Sequence, residues 1–359
     1  MKNTSKYFAI LAVIGVFVYL MQGTEKTREF NFKYNVVLEP SDTKVEVWIP
    51  IPQTNEVHTV SNFSLSNKDK MDCTELTEEI HKNKFYYCSV NNLEEETTLT
   101  LSVDVVRKEH STVNYDGVNP DNYDSGTNNR TVLEGSMFKS IINDEKLTKD
   151  NVDQIYEYVL SGMHYGKPKS DSDDDKFYSR INEKTNKPYL PDNIKYGRKK
   201  VTKEKVLQHY LDSKSDETKK EDTFANGNSV YACDIGVGNC TDYHSYFMSL
   251  CRTLDVPARF HMGFSIPNKD NETQGKVGGY HCWADYYTED KGWTPVDISE
   301  ADKDPSMAEY FNGTVNQHRV EFTVGRDLRL ENRRNSENFF VYPIVEGTNY
   351  EKSFSYKNL

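Results

Sequence analysis

Three stretches early in the chain alternate between apolar and polar positions. Phe30, Phe32, Tyr34 and Val36 form the first, Val45, Val47, Ile49 and Ile51 the second, and Leu99, Leu101, Val103 and Val105 the third. Successive side chains of a strand point to opposite faces, so this period marks strands with one buried face. Pro40-Ser41-Asp42 supplies a turn between the first two, and Pro50 and Pro52 end the second strand or place it at a sheet edge. Residues 29–110 are therefore expected to form a β-sandwich of little chemical content, a packing or partner-binding module.

The period then lengthens. A stretch rich in Asn, Asp, Gly and Pro, Tyr115 to Asn129, reads as a loop. After it, Ile155, Tyr156, Val159 and Leu160 recur at helical spacing and predict a helix of about 12 residues ending near Gly162, with Asp144 or Thr148 as candidate caps. Lys167 to Asn228 is densely charged and poor in aliphatic residues. It is expected to be an exposed, partly disordered insertion, with one helical patch from Lys203 to Tyr210. Its acidic run, Asp171 to Asp175, lacks the spacing and the glycine of a calcium loop.

From Cys240 the pattern is helical again. Tyr243, Phe247, Leu250, Cys251 and Leu254 fall on one stripe, and Gly236, Gly238 and Asn239 suit a tight turn into it. Two strands follow, Tyr280 to Tyr287 and Trp293 to Asp297, joined by the turn Thr288 to Gly292. Counting back from that turn puts Asp297 roughly opposite His281. Trp283 and Trp293 are expected in the interface of sheet and helix, and Phe339 to Val345 as the last strand of the same sheet. The fold class is thus α+β, a β-sandwich followed by a helix packed on an antiparallel sheet, with the second domain at 130–345 and the insertion at 167–228.

Composition narrows the function classes. A chain of 359 residues suggests roughly two domains. A net charge of -12 argues against nucleic acid as a partner, because phosphate binding needs clustered Lys and Arg. Lys2 and Lys6 precede an apolar run, Tyr7 to Met21, shorter than the span of about 20 residues that crosses a bilayer. Residues 1–23 read as a secretory signal or a short membrane anchor, which puts the working part outside the cytoplasm. Six cysteines are too few for a disulfide-scaffolded protein; Cys73 and Cys88 can pair in an oxidising compartment. No pair has the spacing of a zinc site, and neither a metal nor a cofactor is expected.

Cys240, His281 and Asp297 are the inventory of a thiolate nucleophile, its base and the group that orients the base. A cysteine at a helix N-terminus meets the positive end of the macrodipole and free N–H groups, which favour the thiolate and face a developing oxyanion. Taken singly, each residue has a plainer reading: a small buried hydrophobe, a packed histidine, a strand-end cap. His244 lies one turn after Cys240 and can be mistaken for the base, although a packing role suits its place in the helix better. Arg252 and Arg259 read as packing residues.

Gly238-Asn239-Cys240, Leu250 with Arg252-Thr253-Leu254, Val256-Pro257-Ala258-Arg259, Gly263-Phe264, Tyr280-His281-Cys282-Trp283 and Gly292-Trp293-Thr294-Pro295-Val296-Asp297 together resemble the transglutaminase-like superfamily of papain-type thiol enzymes. Arg319-Val320-Glu321-Phe322, Gly325-Arg326-Asp327 and the strand Trp48-Ile49-Pro50-Ile51-Pro52 resemble a bacterial extracytoplasmic branch with an N-terminal β domain. The resemblance implies Cys240 as nucleophile, His281 as base and Asp297 as orienting acid. It also implies a thioester formed from an amide of a protein or peptide substrate. Water as acceptor gives a peptidase or amidase, the favoured reading. A lysine amine gives a glutamine cross-linking transferase, and an inactive envelope scaffold is the reading from another class. The second oxyanion donor is open, with Tyr165 and Tyr231 upstream as candidates.

Overall fold

A computed structural model of the chain describes residues 26–124, 130–168, 177–178, 181–182, 187–188, 194–216, 218, 223–269 and 271–359. The apolar run Tyr7 to Met21 and the acidic run Asp171 to Asp175 lie outside them. No helix among the described residues is long and apolar enough to cross a membrane.

The first strand, β1 (Thr27–Leu38), pairs antiparallel with β6 (Thr97–Lys108) along its whole length. Their alternation is the one read from the sequence: Phe30, Phe32, Tyr34, Val36, Leu99, Leu101, Val103 and Val105 are fully buried. Facing them is a second sheet in which β2 (Val45–Ile51) pairs with β5 (Lys84–Val90), and β5 with β4 (Asp72–Thr77). Cys73 and Cys88 oppose each other there and form a disulfide. β3 (His58–Leu65), β4 and β5 carry no clean period of two, which is why alternation alone did not reveal them.

The chain end completes both sheets. β14 (Ile344–Glu346) pairs with β2, and β15 (Tyr350–Asn358) lies between β1 and β10 (Gln274–Val277). This corrects the expectation that Phe339 to Val345 would be the last strand of the helix-bearing sheet: only its end is a strand, and it joins the sandwich. The reason is that the outer edge of β1 offers unpaired N–H and C=O groups, and β15 covers it while burying Phe354 and Tyr356.

The second sheet system is four antiparallel strands in the order β12 (Gly292–Val296), β11 (His281–Thr288), β9 (Ala258–Ser265) and β13 (Arg319–Val324). Helix α5 (Cys240–Thr253) lies across it, with Phe247 against Tyr286. α1 (Ser136–Glu145), α2 (Val152–Gly162) and α4 (Ser229–Ile235) cover α5, so every residue from Cys240 to Arg252 is buried. α2 ends where its periodicity does, but it begins at Asn151 without a side-chain cap, not at Asp144 or Thr148. Phe32 packs on Phe264 and Phe322 at 5.3 and 5.6 Å between ring centroids, so sandwich and helix-bearing sheet share one core.

The described part of the insertion is better packed than its composition suggests. α3 (Lys203–Ser215) runs past the predicted patch and buries Val206 with Tyr196, Phe224, Tyr231, Ile235 and Val237 in a small separate core. Sparse aromatic residues, spaced too far apart for a periodic signal, carry it.

Candidate active site

The local sequence forces Cys240 into its place. α4 stops at Gly236, and Val237–Gly238 (β8) pairs in parallel with His164–Tyr165 (β7) before α5 begins. Asn239 caps the helix: its Oδ1 accepts from the Thr241 N–H at 2.9 Å, while its own N–H donates to Asp242 Oδ2 at 2.9 Å. The Asp242 carboxylate also accepts from the Ala225 and Gly227 N–H groups. Burial nonetheless pushes this carboxyl up to about 7 against those three bonds. The folded-back carboxylate explains Gly238, where a Cβ would meet its oxygen at 2.6 Å. Cys240 is thereby the first residue of α5, 3% exposed, at the positive end of a helix of 14 residues.

His281 opens β11 and Asp297 caps α6 (Ile298–Lys303). The strands pair as Ala284 with Val296 and Thr288 with Gly292, so the ladder ends before either residue, and Asp297 is not directly opposite His281. Asp297 reaches back across that end: His281 Nε2 donates to its Oδ2 at 2.6 Å. Its Oδ1 accepts from Ser299 Oγ at 2.9 Å and from the Glu300 N–H at 3.1 Å. Capping a helix and holding an imidazole are thus one function of one carboxylate. With Nε2 committed, Nδ1 is left for Cys240, whose thiol hydrogen bonds to His281.

The charges follow from these contacts. Burial works against a charged His281, but the Asp297 charge and hydrogen bond outweigh it and push the imidazole up to about 9. Burial would also raise the Cys240 thiol; hydrogen bonds from Cys282 and His281, and the His281 charge, hold it well below the usual thiol range. Asp297, despite burial, is held well below the carboxylate range by His281 and Arg319. Together these favour a thiolate beside an imidazolium, with the carboxylate behind.

The structure separates His244 from this role. Its Nδ1 bonds the Cys240 carbonyl at 2.7 Å and its Nε2 accepts from the Ile298 N–H at 3.2 Å, which fixes a neutral tautomer. Burial drives its pKa down to about 4. It ties α5 to the start of α6. Arg252 bonds the Ala258 carbonyl, and Arg259 forms a buried pair with Asp285 under the ring of Trp293, packing roles in both cases. Trp283 stacks on His261 instead of filling the helix interface.

Of the two upstream tyrosines, Tyr231 is turned away: its hydroxyl donates to the Val237 carbonyl at 2.9 Å. Tyr165 lies by the thiol, its pKa raised to about 12 by burial, opposed by Lys303 and reinforced by Cys240. Lys303 stands over the Tyr165 ring at 4.3 Å and pairs with Glu300 at 2.6 Å, and Glu300 lies 3.9 Å from His281 Nε2. Sequence reasoning gave no site role to Cys282, Tyr280, Glu300, Lys303 or Arg319. Cys282 and Arg319 were visible inside the quoted motifs, but only contact reveals what they touch. No group of side chains suited to a metal ion is found among the described residues.

Residues 189–298 match the transglutaminase-like superfamily. A protein of Haemophilus influenzae, described only as uncharacterized, is 29% identical over 162 residues, covering 33% of this chain and 43% of its own length. The chain thus spans less than half of that relative. A solved candidate cysteine protease from Cytophaga hutchinsonii covers 93% of this chain and all of its own at 12% identity and a TM-score of 0.45. The periplasmic domain of TgpA from Pseudomonas aeruginosa covers 80% of this chain and 81% of its own at 12% identity and a TM-score of 0.31. The matched stretch takes in Cys240, His281 and Asp297 together, and over residues 189–298 the chain is similar to the transglutaminase-like superfamily.

Proposed function

We propose that this chain is a cysteine acyl-transfer enzyme that opens peptide or isopeptide amides through a thioester, with water as the principal acceptor. The observation that carries the reading is Cys240 at the N-terminus of α5 beside His281, whose Nε2 donates to Asp297. In the first half-reaction the Cys240 thiolate attacks the amide carbon, and the oxyanion forms against the Cys240 N–H and the end of the helix. The imidazolium gives its proton to the leaving amine as the C–N bond breaks, which leaves the thioester. Neutral His281 then takes a proton from water. The hydroxide attacks the thioester, the C–S bond breaks, and acid and thiolate are released with His281 again protonated.

Hydrolysis is favoured because Glu300, a carboxylate beside the base that would draw an amine, is already neutralised by Lys303. We also place the working site outside the cytoplasm. The Cys73–Cys88 disulfide supports this, since such bonds persist in oxidising compartments.

Incubating the protein with a glutamine-rich protein and a labelled primary amine tests the assignment. Released peptide or ammonia without bound label, lost in Cys240→Ser, is expected. Label incorporated in a Cys240-dependent way would make it a transferase, and no turnover with either acceptor would make it a scaffold.

A further inference from the structure

Arg319 opens β13 and is buried, with its Nη1 2.6 Å from Asp297 Oδ2. This is the same oxygen that accepts from His281 Nε2 at 2.6 Å. One carboxylate oxygen therefore lies between two cations. The guanidinium is also set over the rings of Trp283 and Phe311 at 5.2 and 5.9 Å, which fixes its position from two further elements. Its only ion pair among the described residues is with Asp297. Local backbone brings it there. β13 crosses β9 with a register shift at Met262/Gly263, and a Cβ at Gly263 would lie 1.9 Å from the Val320 carbonyl oxygen. Only glycine allows that approach, and the shifted register puts Arg319 opposite Ser265.

Resting on the reading of Cys240 and His281 above, we propose that Arg319 is a positioning residue of this site, which holds the Asp297 carboxylate in place and draws part of its charge away from His281, so that the imidazole gives up its proton more readily. A base held by an unshared buried carboxylate would keep its proton too tightly to protonate a leaving amine well. A second cation on the same oxygen weakens that hold without removing it. In keeping with this, the Arg319 charge opposes protonation of His281 while Asp297 favours it. The other groups facing His281 are Cys240 and His244 from α5 and Glu300 from α6, with Lys303 from α6 and Tyr165 from β7 next to Glu300 and Cys240. All of them remain in place when Arg319 alone is changed, and Glu300 is balanced by Lys303.

The test is the alkylation rate of Cys240 by iodoacetamide between pH 5 and pH 10.5, in the whole chain, for the wild type, Arg319→Met and Arg319→Lys. The thiolate reacts faster once the imidazolium beside it discharges, so the alkaline step reports His281, expected near 9 in the wild type. Arg319→Met should move that step upward by about one pH unit, and Arg319→Lys, which restores the charge, should bring it back. Arg319→Gln serves as the uncharged variant if Arg319→Met does not fold. An alkaline step left where it was in a folded uncharged variant would overturn the inference while leaving the function above intact. A wild type without fast alkylation at Cys240 would overturn both.

Discussion

Cys240 is a buried sulfur whose neighbours outweigh the cost of burying its charge. Asp297 does most to set that balance, because His281 stays charged only while Asp297 is ionised beside it. Asp297→Asn keeps the shape and removes the charge, so the His281 pKa should fall from about 9 to below that of an ordinary imidazole. Turnover should drop by about 10²–10⁴, the usual worth of a positioned acid–base group. The check is the rate on any amide substrate, together with the pH profile of alkylation. At this scale motif and element singled out Cys240, His281 and Asp297, and the fold brings the three together. Arg319 was not singled out, although a cation at the head of a strand buried from Arg319 to Thr323 is an anomaly. Its meaning depends on a partner many residues away, and no local pattern names that partner.

The position of Cys240 belongs to the turn that precedes α5 more than to the helix. Asn239, Asp242 and Gly238 lock together: the cap accepts one N–H, the aspartate returns to the cap, and the glycine leaves room for the aspartate. Gly238→Ala would press a methyl group into the Asp242 carboxylate, at a cost of about 1–3 kcal/mol. Urea unfolding should register that loss, and the low-pH alkylation of Cys240 should slow with it because the helix start is displaced. A variant as stable and as reactive as the wild type would contradict this account of the turn. Periodicity predicted α2, α5 and the β11–β12 hairpin because each buries one face in a regular rhythm. It missed the strands β3 to β5, whose exposed positions break the alternation, and it misread the register of Asp297, which lies past the end of its ladder.

Across the whole molecule, the sandwich and the site-bearing sheet are one body, closed by the C-terminal strands β14 and β15. That closure was not legible from local pattern, since strand partners far apart in the chain are chosen by an open edge and not by nearby residues. Buried ionisable groups also give the molecule a pH profile. His58, His110 and His244 are driven down by burial to about 4, about 3 and about 4. An unfolded chain binds these protons near 6.5, so each depressed imidazole favours the folded state above that value and loses its contribution as the pH falls toward its folded value. Asp242 and Asp302, raised by burial to about 7 and about 6, act in the opposite sense. His81, His164 and His318 are lowered by burial as well, and these six imidazoles with the depressed Cys240 thiol outnumber the groups of opposite sense, the two carboxyls and the raised His261 and His281, which leaves a net loss. Unfolding in urea should therefore need less denaturant at pH 5 than at pH 7. A midpoint that holds or rises on acidification would contradict these assignments.

Whether His281 holds Cys240 as a thiolate is measured directly by the labelling rate of each cysteine by iodoacetamide at pH 6. Wild-type protein should label rapidly at Cys240 alone, with the reaction abolished in Cys240→Ser and slowed to that of an ordinary thiol in His281→Ala. Slow labelling spread over Cys233, Cys240, Cys251 and Cys282, and indifferent to His281, would mean that the three residues meet without forming a working pair.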